Sequence, residues 1–122
     1  MKTKKRAVAA ALALAGLLGL SDAAYAAYGA IAYSPSSGAY GYSYAYGSRG
    51  QAERAALKSC RANGSGCQNA IWFQNACGAV AKGPNGWGSG WAASKKGAYA
   101  QAVASCAQYS RQCKVIVWAC SG

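Results

Sequence analysis

The sequence predicts an α+β fold: a duplicated β-β-α-β unit forming an antiparallel sheet with two helices on one face, stapled by disulfides. Three observations carry that expectation. The stretch 48–72 recurs 46 residues further on in one unbroken register, with Ser48, Cys60, Cys67 and Trp72 matching Ser94, Cys106, Cys113 and Trp118. A fixed register over that length marks an internal duplication. A shorter element ahead of each copy also recurs, GAIA at 29–32 and GAVA at 78–81. Finally, all six cysteines fall inside the repeated region, and an even count in a small exported chain reads as a disulfide framework.

Taken in order, the chain begins with Lys2, Lys4, Lys5 and Arg6, then an uninterrupted small and apolar run, Ala7–Leu20, and an A-x-A site at Ala24-Tyr25-Ala26. That pattern is a secretory signal peptide over 1–26, too short and wrongly flanked for a membrane-spanning helix. The expectation is an exported bacterial protein, periplasmic or secreted, with no membrane span. It leaves 27–122 as a single domain of two repeats, about 28–76 and 77–122.

Each repeat opens with a hairpin. In the first, Gly29–Tyr33 leads through a turn at Ser34–Gly38 to Ala39–Gly47; in the second, Gly78–Lys82 leads through Gly83–Gly86 to Trp87–Ala93. Asn85-Gly86 predicts a type I′ turn with positive φ at both central positions. A helix follows. Ser48 is its N-cap, with Gln51 completing an S-x-x-Q capping box. Ala52, Ala56 and Cys60 make one small apolar face, repeated as Ala98, Ala102 and Cys106. Asn63-Gly64 stops the first helix, and the apolar runs 70–73 and 115–118 have strand length and β-branched or aromatic character. Six strands with two helices on one face give a two-layer α+β sandwich.

The duplication reduces the 15 pairings that six cysteines permit. Cys60–Cys67 and Cys106–Cys113 are equivalent pairs, each closing the same helix-to-strand bridge. Cys77 and Cys120 have Tyr28 and Gln74 as their counterparts, so both are present in one copy and both absent from the other. That is how a bonded pair behaves, which assigns Cys77–Cys120. A metal site is the competing use, but the chain has no His and C-x6-C is not a finger or ribbon spacing.

Four of the 13 Lys+Arg and one of the two acids fall in 1–26, so 27–122 carries nine basic residues, one acid and a net charge of +8. Such a charge favours anionic surfaces, although it also simply keeps an exported protein soluble. Arg54, Lys58 and Arg61 lie opposite the apolar helix face and form a basic stripe belonging to the first copy alone, since its counterparts are Ala100, Ala104 and Ala107. They are candidate contact residues. The second candidate is the alternation Tyr40, Tyr42, Tyr44 and Tyr46, which puts four rings on one strand face. Two readings compete. An open aromatic ladder would stack sugars or bases. Alternatively, the rings supply the bulk that an Ala-rich helix lacks, filling the layer to native density. The second explains Trp87 and Trp91 as well and is the reading preferred on sequence.

Catalysis lacks its usual parts. With no His, no Asp in 27–122 and Glu53 as the single acid, paired-carboxylate, triad and two-metal chemistries have no residues to use. The glycine-rich stretch 83–90 has neither GK[ST] nor G-x-G-x-x-G. The expectation is a non-enzyme with no catalytic residues, no metal and no cofactor.

The motifs Gly29-Ala-Ile-Ala-Tyr-Ser, Gly41-Tyr-Ser-Tyr-Ala-Tyr-Gly-Ser-Arg, Trp72-Phe-Gln-Asn-Ala-Cys-Gly-Ala-Val-Ala and Gly86-Trp-Gly-Ser-Gly-Trp stand in fixed order. As an ordered set the chain resembles the bacterial family catalogued as domain of unknown function 4189. The resemblance implies a small exported protein of one compact domain and supplies no catalytic or ligand residues. The function expected is a binding module at an anionic envelope polymer or on a protein partner. The alternatives are an effector directed at a host or competitor protein and, third, a nucleic-acid binder, for which no motif is present.

Overall fold

The computed structural model describes residues 27–122, so the signal-peptide reading of 1–26 lies outside the described residues. The elements run β1 (Tyr28–Tyr33), β2 (Tyr40–Tyr46), α1 (Arg49–Arg61), β3 (Gln68–Gln74), β4 (Cys77–Gly83), β5 (Gly86–Ala92), α2 (Lys95–Ala107) and β6 (Lys114–Cys120). This is α+β, and the β-β-α-β order occurs twice. The strands do not join in one sheet, however. They divide into two three-stranded antiparallel sheets, ordered β2-β1-β3 and β5-β4-β6.

Alternation along the central strands explains the division. Ala30 and Ala32 of β1 pack with Ala52, Ala56 and Cys60 of α1, while Ile31 and Tyr33 point the other way. In β4, Ala79 and Ala81 pack with Ala98, Ala102 and Cys106 of α2, and Val80 points away. Each central strand is apolar on both faces, so each sheet needs a helix on one side and a second cover on the other. The two sheets cover each other. Ile31, Tyr33, Phe73, Val80, Val117 and Ala119 form the layer between them, and the helices lie on the two outer faces. Each sheet thus carries one helix, in place of one sheet carrying both.

Phe73 sits toward one end of that layer, against the beginnings of β1 and β4. It is 1% exposed, and its ring occupies the space that side chains at Gly29 and Gly78 would fill. These glycines are equivalent positions of the two copies. Tyr33 and Lys82 stand at the opposite end of the same strands, bordering one cleft with Trp87. Strands β1 and β4 therefore run in the same direction across the interface.

Local chemistry sets the element ends. Ser48 Oγ accepts from the Gln51 backbone N–H at 3.3 Å, and Ser94 Oγ from that of Gly97 at 3.1 Å. Disulfides join Cys60 to Cys67, Cys106 to Cys113 and Cys77 to Cys120. The last links residues directly opposite in the β4–β6 ladder. Three disulfides in so small a unit fit an oxidising compartment. The second hairpin differs from expectation. Gly83 pairs with Gly86, so its central residues are Pro84 and Asn85, and neither has positive φ. Proline presets the turn at its first central position, displacing the type I′ geometry. Among the described residues, no helix is long and apolar enough to cross a membrane.

Phe73→Ala should cost about 3–5 kcal/mol in urea unfolding of the oxidised protein, as expected for a buried ring with no neighbour able to collapse into its place. Because Phe73 belongs to the first repeat and Gly78 to the second, fragments 27–76 and 77–122 expressed separately should lack amide protection. A dispersed NMR spectrum from either one alone would contradict this account of the interface.

Candidate functional site

The four tyrosines do not share one face: Tyr40 and Tyr42 turn away from the helix, whereas a bulge opposite Gly29 pairs Tyr46 with Tyr28 on the helix side. Tyr40 pairs with Tyr33 and Tyr42 with Ile31, so these rings share the face of β1 that looks toward the second sheet. Gly41 and Ser43 lie on the other face, against α1. A side chain at Gly41 would run into the backbone of Ala56 and Cys60, and Ser43 Oγ donates to the Ala52 carbonyl at 2.7 Å. The volume-matching reading is thus corrected. An Ala face does not require bulk opposite it. It lets helix and sheet approach until only Gly, Ala and Ser fit between them. Gly88 and Gly90 meet the backbone of α2 in the same way.

Because β2 is an edge strand, the second sheet does not cover its rings. Tyr40, Tyr42, Tyr44 and Tyr46 are 41%, 48%, 56% and 40% exposed, and Tyr42 and Tyr44 stack at 6.4 Å between centroids. Their hydroxyls bond to no protein group among the described residues. With Ile116–Cys120 of β6, the first three line an open cleft of about 480 Å³.

The duplication places a second cleft of about 490 Å³ between β5 and β3, lined by Ala70–Gln74 and Trp91. It is partly closed. Trp87, the counterpart of Tyr40, packs edge-on against buried Tyr33 at 5.3 Å. Ser89, in the place of Tyr42, donates through Oγ to the Ala70 carbonyl at 3.2 Å. The wide aromatic opening belongs to the first hairpin.

Among the described residues three cation–π contacts lie outside the sequence expectations, and Lys95 makes two of them, one with Tyr99 at 5.5 Å. Arg49 lies 4.7 Å from the Trp72 ring centre, and Lys95, its counterpart, 4.0 Å from Trp118. The signal was available, since both partners map by the same 46-residue offset. Trp118 also borders the tyrosine cleft, while Lys95 holds its ring from the side of α2.

Arg54, Lys58 and Arg61 are exposed along the outer side of α1. Sheet and helix separate them from the tyrosines, so the two candidate surfaces do not form one site. Glu53, the one acid in 27–122, pairs with Arg49 at 3.3 Å. All six cysteines are bonded, leaving no thiolate for nucleophilic work or metal ligation. Ring faces, phenolic hydroxyls and cations can stack, donate hydrogen bonds and attract anions.

A family model described as Domain of unknown function (DUF4189) matches residues 28–120. Among solved structures, the chain is similar to the NMR structure of Rv1813c from Mycobacterium tuberculosis. They share 30% sequence identity, the match covers 78% of this chain and 75% of that one, and the TM-score is 0.58. No curated protein matches the chain.

Burial against Trp87 also holds the Tyr33 hydroxyl above its ordinary pKa of 10.0, because the phenolate would have to form out of water. A folded-state pKa above the unfolded one means that the stabilisation is complete below pH 10. It is lost as pH rises through the folded value. Urea midpoints should therefore fall on the alkaline side of pH 10, and Tyr33→Phe should reduce the fall.

Proposed function

Since the chain belongs to the DUF4189 family, whose description names no activity, its own surface is the guide, and we propose an exported, non-catalytic module that binds an anionic polymer of the bacterial envelope. The observation that carries this is the outward turn of Tyr40, Tyr42 and Tyr44 over an open cleft with β6. Sugar rings present flat faces to stack on such rings and hydroxyls to bond with phenols. The anionic character of the ligand follows from the net charge of +8. Export rests on the charged, apolar and A-x-A segments of 1–26 and on the three disulfides.

A protein partner is the second reading, and a specific feature favours it. Strands β2 and β6 are both sheet edges with one side unpaired, so an extended segment could add to either through main-chain hydrogen bonds. Salt separates the readings. Polymer binding through charge weakens steeply as salt rises, whereas an added strand with apolar contacts changes little.

Co-sedimentation of the oxidised protein with a phosphodiester-bearing cell-wall fraction tests the proposal. Tyr42→Ala/Tyr44→Ala should weaken binding about 10- to 100-fold, taking roughly 1–3 kcal/mol for stacking, and leave the fold intact. Arg54→Gln/Lys58→Gln/Arg61→Gln should leave stability nearly unchanged, as expected of solvent-facing charges. It should also flatten the salt dependence without abolishing binding. Wild-type binding by the tyrosine variant, or complete loss in the arginine–lysine variant, would move the site to the helix stripe.

A further inference from the structure

The end of the β4–β6 ladder holds an arrangement with no stabilising rationale in the bare protein. Lys82 and Lys114 are directly opposite each other and both exposed. Like charges in that position repel, and no acid offsets them. Glu53 is engaged with Arg49, and the C-terminal Gly122 follows the other end of β6. The same ladder position in the first copy is Tyr33 opposite Gln68. Both members of a neutral pair have become lysine together.

A third change falls at the same place. Gly66 and Gln112 are equivalent, and both are left-handed, with φ of 78° and 55°. Glycine is at ease there and glutamine is not. The second copy thus carries an amide side chain at a position where glycine would be less strained. Lys82, Gly83, Pro84, Gln112 and Lys114 line one cleft of about 500 Å³, and Arg111, in place of Ser65, is exposed beside it.

The cleft is also fixed in shape. In the first copy Ser34 Oγ donates to the Ser65 carbonyl at 2.6 Å. In the second the hydroxyl comes from the opposite side. Ser110, replacing Gly64, accepts from the Asn85 N–H at 2.9 Å and donates to the Arg111 carbonyl at 3.0 Å. Gly83, replacing Ser34, leaves the room that this hydroxyl needs. The hairpin turn and the 110–114 loop are thereby locked together, with Cys106–Cys113 closing the loop.

We propose that Lys82, Gln112 and Lys114 form an oxyanion site of the phosphate class. Two ammonium groups supply charge matching a phosphate dianion, and the glutamine amide supplies a directed donor. This assignment rests on its own residues and stands or falls without the tyrosine cleft. The phosphate could be free or carried on a polymer.

Sodium phosphate titrated into the labelled protein, against sodium chloride at matched ionic strength, decides the matter. Saturable amide shifts confined to 82–84 and 111–114 are expected. Lys82→Tyr/Lys114→Gln, which installs the first copy's residues, should weaken phosphate binding at least tenfold and melt higher than wild type in phosphate-free buffer. Lys114→Gln alone gives the same binding readout with less change to the fold, and Arg54→Gln/Lys58→Gln/Arg61→Gln should bind phosphate as wild type does. Competition by the phosphodiester-bearing wall fraction would mark the polymer as the source, and its absence would mark free phosphate. Shifts scattered over all cations and following ionic strength alone would overturn the site, as would undiminished binding in Lys114→Gln.

Discussion

The fold depends on the apolar layer where the two copies meet, and Phe73 is its most constrained ring. Phe73 fills the space between Gly29 and Gly78, equivalent glycines of the two central strands. A duplicated chain would be expected to place a pair of such rings about its pseudo-symmetry axis. The counterpart of Phe73 is Ala119, buried in the same layer. At this end of the interface the space between the glycines is taken by one ring, and the copies differ there accordingly. Interiors are filled to crystal-like density, so a second Phe would overpack the layer and an Ala at both positions would leave a void.

A second constraint is the closeness of each helix to its sheet. Ala52, Ala56 and Cys60 on α1 admit only Gly41, Ser43, Ala30 and Ala32 opposite them. Strand alternation then sends Tyr40 and Tyr42 the other way, until the bulge opposite Gly29 returns Tyr46 to the side of Tyr28. The direction of Tyr40 and Tyr42 is thus a consequence of helix packing before it is anything else, and the functional opportunity lies in the edge position that leaves them uncovered. In the second copy the same geometry exists, but Trp87 is absorbed by Tyr33 and Ser89 is tied to β3.

Much of this was legible in the sequence. The repeat register, the helix caps, the small helix faces and the strand order all depend on local spacing, which a sequence displays directly. What was not legible depends on distance between layers. Nothing local says whether six strands make one sheet or two, and the direction of the tyrosines followed from that choice and from how closely Ala permits a helix to approach. The hairpin turn was misread for a simpler reason. Asn85-Gly86 is a strong pair in isolation, but Pro84 one residue earlier fixes the backbone and shifts the central positions. Lys82 and Lys114 are 32 residues apart and meet only through the β4–β6 register.

Comparing the copies sorts their differences by physical cost. Tyr28 and Gln74 become Cys77 and Cys120, a covalent link across the ladder that restricts the unfolded chain. Phe73 against Ala119 solves a packing problem at the interface. Those exchanges stabilise the fold, and selection for stability alone accounts for them. The exchanges Tyr33 to Lys82, Gln68 to Lys114 and Gly66 to Gln112 run the other way, since they add like-charge repulsion and left-handed strain to one cleft. Independent drift would scatter such unfavourable changes over the surface, where each could be tolerated alone. Their convergence on residues that line a single locked cleft is the pattern expected where stability is given up for binding.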